Sequence, residues 1–250
     1  MPNQFLSDEF GDIEDYFMTD YRLIDQYIGD QLWVWGNNEI GALGINNTTN
    51  RRTPVTTFAG GTNWKQVSNG NKFTTAIKTD GTLWVWGNNG NNQLGTNNFI
   101  SRSTPVTTFA GGNTWKQVST GYGFTVAIKT DGTLWGWGFG GQGQLGNQNS
   151  GFMPTPVTTF AGGNNWKSVA TGTNQTVAIK TDGSLWTWGL GETLGINASR
   201  NRDTPVTTFA GGNDWKQVAC GQGFTAAIKN DGSLWVWGNG SNAKLGTNDT

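Results

Sequence analysis

Side chains capable of chemistry are few in this 250-residue chain, and most recur at fixed intervals. General acid-base and nucleophilic catalysis draw on histidine, an activated cysteine, or carboxylates held in a cleft. The chain has no histidine, and its one cysteine, Cys220, falls where other repeats carry Asn69, Thr120 and Thr171. Asp80, Asp131, Asp182 and Asp231 each precede a glycine, so turn geometry accounts for them without catalysis. The acidic run from Asp8 to Asp15 lacks EF-hand spacing, and zinc would need cysteines or histidines in number. The stretch Gly138-Phe139-Gly140-Gly141-Gln142-Gly143 is followed by no Lys-Ser/Thr pair and is not a phosphate loop. The sequence therefore reads as that of a non-enzyme, with no catalytic, cofactor or metal site expected.

Cations are the recurrent polar groups. Arg51, Arg102 and Arg202 occupy equivalent places, with Met153 interrupting the series. Lys65, Lys116, Lys167 and Lys216 form a second set, and Lys78, Lys129, Lys180 and Lys229 a third. If the repeats wind about an axis, such sets become arcs of like charge able to attract an anionic surface or glycan. Solvated residues that maintain solubility are the plainer reading. The three arginines are the candidate binding surface.

The elements that must position these residues are set by the repeat, and a period near fifty residues points to stacked supersecondary units. Leu-Trp-x-Trp-Gly begins its indole pairs at Trp33, Trp84, Trp135, Trp186 and Trp235, giving spacings of 51, 51, 51 and 49. Thr-Pro-Val-Thr-Thr-Phe-Ala-Gly-Gly recurs from Thr53, Thr104, Thr155 and Thr204, each time followed by Trp-Lys. All 14 tryptophans belong to this pattern.

Within one unit, residues 73–78 alternate as a strand does, and 83–86 are apolar on both sides, as a strand covered on both faces must be. Asp80-Gly81 between them signals a tight hairpin. An inner strand over 64–69 and an outer strand over 106–109 complete four strands, with Pro54, Pro105, Pro156 and Pro205 expected to open the outermost one. The expected fold is all-β, a β-propeller-like array of about four to five four-stranded blades over residues 31–250.

Residues 1–30 differ. They hold eight acids against Arg22, net −7, leaving +6 for the remainder of a chain whose overall charge is −1. Phe10, Ile13, Phe17, Tyr21, Ile24 and Ile28 recur at helical spacing. Two short amphipathic helices are expected, either capping an open end of the array or docking onto a larger assembly or a sister subunit. The near-neutral total argues against nucleic acid as partner. No apolar run approaches the roughly 18 residues of a membrane span, and no basic-then-apolar secretion signal opens the chain.

These motifs resemble those of the regulator of chromosome condensation repeat family. The resemblance covers residues 32–250 and rests on Trp86-Gly87-Asn88-Asn89, Gln93-Leu94-Gly95, Pro105-Val106, Gly121 to Ile128, and Asp131-Gly132. It departs in one residue type, since the family's histidine is Phe73, Phe124, Gln175 and Phe224 here. The family usually closes seven blades, whereas this chain holds four inner hairpins and five third strands. The resemblance thus implies a propeller of few blades, or an open arc completed by another copy. Pairing of the two chain ends in one blade is a third arrangement. Family members act as nucleotide-exchange factors, chromatin binders and protein inhibitors, and the missing histidines weigh against the first. The near-identical repeats rich in Asn, Thr and Gly are also similar to repeat proteins of bacteriophage and bacterial surfaces. The expectation is a structural or interaction propeller, a component of an assembly such as a virion, anchored by its arm and presenting loops. The rival is a stand-alone carbohydrate- or protein-binding module. Protein partners or self-association, a host-surface glycan, and a virion or cytoplasmic location complete the expectation.

Overall fold

The computed structural model describes residues 31–197 and 199–246. The arm residues Phe10, Ile13, Phe17, Tyr21, Ile24 and Ile28, and the helices expected there, lie outside the described residues. Everything described is strand, turn or loop apart from two single 3-10 turns.

Seventeen strands form five antiparallel sheets. The first holds β1 (Trp33–Gly36) and β2 (Arg51–Thr56). The second is β3 (Trp64–Gly70), β4 (Phe73–Lys78), β5 (Leu83–Gly87) and β6 (Arg102–Thr107). The third is β7 (Trp115–Thr120), β8 (Phe124–Lys129), β9 (Leu134–Phe139) and β10 (Phe152–Thr158). The fourth is β11 (Trp166–Thr171), β12 (Gln175–Lys180), β13 (Leu185–Gly189) and β14 (Arg202–Thr207). The fifth has three strands, β15 (Trp215–Cys220), β16 (Phe224–Lys229) and β17 (Leu234–Gly238). Among the described residues the first and last sheets do not pair with each other.

The outer strand departs from expectation. It runs from Arg102 to Thr107 rather than over 106–109, because its register against β5 shifts between the Val85↔Val106 and Gly87↔Arg102 pairs. Pro105 therefore stands inside the strand, at this irregularity, and not at its start. A bulge leaves a residue out of the ladder, which is where a residue without an N–H costs no bond. Pro105, Pro156 and Pro205 are buried.

Each core is shared by two sheets. Phe73, Ile77, Leu83 and Val85 of the second sheet meet Trp115, Val118, Ala127 and Trp137 of the third. The third and fourth meet in the same way through Phe124, Val126, Ile128 and Leu134 against Trp166, Val169, Ala178 and Trp188. Within a sheet, one inner-strand indole packs edge-on against both indoles of the third strand. For Trp115 the centroid distances are 6.3 Å to Trp135 and 5.8 Å to Trp137, the T-shaped geometry that aromatic quadrupoles favour. The indole also reaches backwards, since Trp137 Nε1 donates to the Gln93 carbonyl at 2.9 Å in the preceding sheet's loop. That loop closes tightly at Gly95 (φ +64°), where a Cβ would stand 2.8 Å from the Trp137 ring. Both the backbone angle and the ring demand glycine in Gln-Leu-Gly.

Neighbouring inner strands are stitched by side chains. Gln117 Nε2 donates to the Val169 carbonyl at 3.0 Å, and its Oε1 accepts from the Val169 amide at 3.2 Å. Gln66 does the same to Val118. The series breaks at Ser168, which is too short to reach Val218 and whose hydroxyl has no partner.

Candidate interaction surface

The antiparallel meander gives every blade two ends. The long loops (residues 37–50, 88–101, 140–151 and 190–201) and the short β3–β4 type turns share one of them, the loop end. The Asp-Gly turns and the crossings to the next sheet share the other, the hairpin end.

Arg51, Arg102 and Arg202 lie at the loop end, in register opposite Gly36, Gly87 and Gly189. Met153 holds the same place opposite Gly138. The three arginines stand on three different sheets, so the fold arrays them without gathering them into one cluster. They are half-buried, and their Nε atoms are shielded with no hydrogen-bond partner. The same end carries exposed apolar side chains, Phe99 and Ile100 on a long loop, Tyr122 in the β7–β8 turn and Phe152 at the start of β10. The first three long loops are fixed to the following sheet: Asn46 N donates to Ser103 O, Asn97 N to Pro154 O and Gln148 N to Asp203 O, at 2.8–3.0 Å. Asn46, Asn97 and Gln148 adopt positive φ to do so.

The lysines separate into two kinds. Lys65, Lys116, Lys167 and Lys216 are exposed. Lys78, Lys129, Lys180 and Lys229 are not an arc of free cations, because each Nζ rests over two indoles of its own sheet. For Lys129 these are Trp115 at 4.8 Å and Trp135 at 4.2 Å. The attraction of an ammonium for a ring face, about 0.5–1 kcal/mol or more, spends these charges on the blade itself.

At the hairpin end, Asp80, Asp131, Asp182 and Asp231 are held in the charged form. A hydroxyl from Thr82, Thr133, Ser184 or Ser233 is the main cause, with the backbone amide of that residue adding to it, and each carboxyl titrates below its ordinary value. A carboxyl with a depressed folded value stabilises the fold above its unfolded value and loses that contribution as pH falls through the folded one. The melting temperature should therefore fall on acidification below about pH 4, and replacing all four by Asn should flatten that acid limb in a pH series of thermal melts. Cys220 is half-buried, its thiol 3.7 Å from Thr225 Oγ1, and desolvation pushes that thiol up to about 12.

Sequence reasoning missed one series. Phe58, Phe109, Phe160 and Phe209 end the Thr-Thr-Phe motif and read as strand residues, yet they follow the outer strand at the hairpin end and are 61–78% exposed. The available signal was the Gly-Gly after each, whose positive φ marks a turn. Among the described residues no group of three His, Cys, Asp or Glu side chains is placed to hold a metal. Nor is any helix among them long and apolar enough to cross a membrane.

The sequence profile of the regulator of chromosome condensation (RCC1) repeat matches residues 30–77, 80–128, 131–179 and 182–228, which is most of the chain and agrees with the sheet spacing. The chain belongs to the RCC1 repeat family. Among its relatives, the Ultraviolet-B receptor UVR8 of Arabidopsis thaliana is 31% identical over 176 residues, 68% of this chain and 40% of that protein. The mitochondrial RCC1 domain-containing protein RUG3 of the same plant is 31% identical over 170 residues, 64% of this chain and 38% of that one. The chain thus spans about two fifths of the length of these relatives. Two crystal structures share the fold: human WBSCR16, with a TM-score of 0.77 at 24% identity over 88% of this chain and 60% of that one, and yeast RCC1 (Prp20) bound to Kap60, with 0.75 at 19% over 87% and 54%. The fold is the propeller type of this family, in five sheets, suited to protein interaction.

Proposed function

We propose that this RCC1-repeat chain is a non-enzymatic interaction scaffold, a component of a larger assembly such as a virion, anchored by residues 1–30 and presenting its loop end to a protein partner. The observation that carries this reading is the set of exposed Phe99, Ile100, Tyr122 and Phe152 at the loop end, which also carries the half-buried Arg51, Arg102 and Arg202. Aromatics and arginine are the residue types that dominate binding energy at protein interfaces. Fixed loops lose little entropy on binding. A relative of this fold, yeast RCC1, is seen bound to Kap60. The non-enzymatic reading is supported by a protonated thiol and by carboxylates committed to turns.

Co-sedimentation with the native particle tests the scaffold reading. Reversing Arg51, Arg102 and Arg202 to Glu should weaken retention on the particle by about 30-fold or more, roughly 2 kcal/mol. The melting temperature should stay near that of the parent chain. Unchanged retention would remove the arginines from the interface.

A second reading, a stand-alone glycan- or protein-binding module, draws on the repeated exposed Phe58, Phe109, Phe160 and Phe209, whose rings are free to stack on a sugar. Glycan-array binding by a monomer, lost in the Phe→Ala set, would favour it.

A further inference from the structure

The hairpin end repeats an apolar feature as well as its turn carboxylates. Phe58, Phe109, Phe160 and Phe209 stand at the outer margin of the first four sheets, one on each, and are 61–78% exposed. The Gly-Gly turn after each ring stands clear, since a Cβ on Gly60, Gly111, Gly162 or Gly211 would meet nothing within 4 Å. The amide of each ring and the tip of each turn are already paired. Phe109 N donates to Gly95 O at 2.9 Å, Gly111 N donates to Thr108 O at 3.0 Å, and Gly111 O accepts from Trp115 Nε1 at 3.0 Å. The same three bonds recur at Phe58, Phe160 and Phe209.

Nearer the axis, where the inner strands adjoin, this end carries Lys65, Lys116, Lys167 and Lys216. Each falls at a register irregularity at the start of its inner strand, the first between Trp64 and Gln66. A bulge turns its residue out of the ladder. All four lysines are exposed and, among the described residues, none is in an ion pair. The acids at this end are the turn aspartates and Asp214, which pairs with Lys229 at 3.2 Å, and the two lysine series together outnumber them.

We propose that the hairpin end is a docking face for an anionic lipid bilayer, with the four rings entering the acyl boundary and the four exposed lysines meeting the headgroups. Apolar side chains immersed in the interface and cations beside anionic lipids are the two contributions to peripheral attachment. Backbone at that depth must have its polar groups paired internally, as these turns have. Phenylalanine has no polar atom, and the paired amides beside it give a sugar nothing to orient on, so hydrocarbon suits the rings better than a glycan does. Reach decides in the same direction. Within a sheet the ring and the lysine sit by the outer and inner strands, three strand spacings or about 14 Å apart. A single sugar meets one of them, whereas a surface meets both. Equivalent positions of successive blades fall on one face of a propeller, and this face lies opposite the loop end, so its occupancy is independent of a protein bound there.

The test is co-sedimentation of the full chain with vesicles of phosphatidylcholine, alone or with about 30% phosphatidylserine. Partition onto the anionic vesicles should exceed that onto the neutral ones by about tenfold or more at low salt, and should fall as salt rises. The set Phe58→Ser, Phe109→Ser, Phe160→Ser and Phe209→Ser should cut that partition by about 30-fold or more, with the melting temperature near the parent's because the rings are exposed. Should the set unfold the chain, Phe209→Ser alone should still cut partition by roughly threefold. Replacing Lys65, Lys116, Lys167 and Lys216 by Gln should erase the preference for anionic vesicles. No partition, equal partition onto the two vesicles, or partition indifferent to the phenylalanines would overturn the proposal. Glycan-array binding that is lost in the Phe→Ser set, without vesicle binding, would assign the rings to a sugar and overturn it too.

Discussion

Replacing Trp166 by alanine is expected to destabilise the protein by about 3–5 kcal/mol, the range for removing a buried indole and leaving a cavity. Its ring is buried between the third and fourth sheets, edge-on to Trp186 at 6.2 Å and Trp188 at 5.9 Å, under the ammonium of Lys180 at 4.7 Å. The cavity would open against Leu134 and Leu145, which belong to the neighbouring blade and cannot shift without moving it. The motif alone does not predict the size of such a loss. Leu83, Leu134, Leu185 and Leu234 are the same residue of the same repeat, but the first three are 1–2% exposed and the last 65%. Leu134→Ala should cost about 2–5 kcal/mol, and Leu234→Ala within about 0.5 kcal/mol of nothing. Urea titrations of the three variants decide this, and equal losses at Leu134 and Leu234 would mean that the last sheet is covered in solution.

The second large effect is expected at the stitching between inner strands. Gln117→Ala removes two part-buried hydrogen bonds at once and strands the amide and carbonyl of Val169, each at about 1–2 kcal/mol, so a total near 2–4 kcal/mol is expected. The converse change should stabilise. Ser168→Gln places at the fourth sheet the side chain that Gln66 and Gln117 use, within reach of Val218, and should gain about 1 kcal/mol. Denaturant midpoints for the two variants should move in opposite directions, and a shared direction would show that the glutamines act through something other than these bonds.

Much of this architecture is legible in the sequence because repetition multiplies the signal. β4 lies at the expected residues 73–78, and the Asp-Gly hairpins and indole pairs follow directly from local pattern. What was not legible depends on contacts far apart in the chain. The outer strand begins four residues before its expected start because a register shift, which belongs to the pair of strands, absorbs Pro105. Lys129 reads as a surface cation, yet its position over Trp115 and Trp135 depends on pairing two strands separated by a hairpin. At the candidate surface, the equivalence of Arg51, Arg102 and Arg202 was visible, and their half-burial was not, since it comes from the loops folded beside them. Phe109 was mistaken for a strand residue because an apolar side chain after Val-Thr-Thr looks like core until the following turn is seen to send it outward.

Sharing each core between successive sheets has a consequence for synthesis. A ribosome delivers the chain from its N-terminus, so the face formed by Phe73, Ile77, Leu83 and Val85 emerges before Trp115 and Trp137, which close it. Every nascent sheet must wait for about fifty further residues, several seconds at ordinary elongation rates, with its greasy side bare. Chaperone demand should accordingly rise and fall with the same period as the tryptophans.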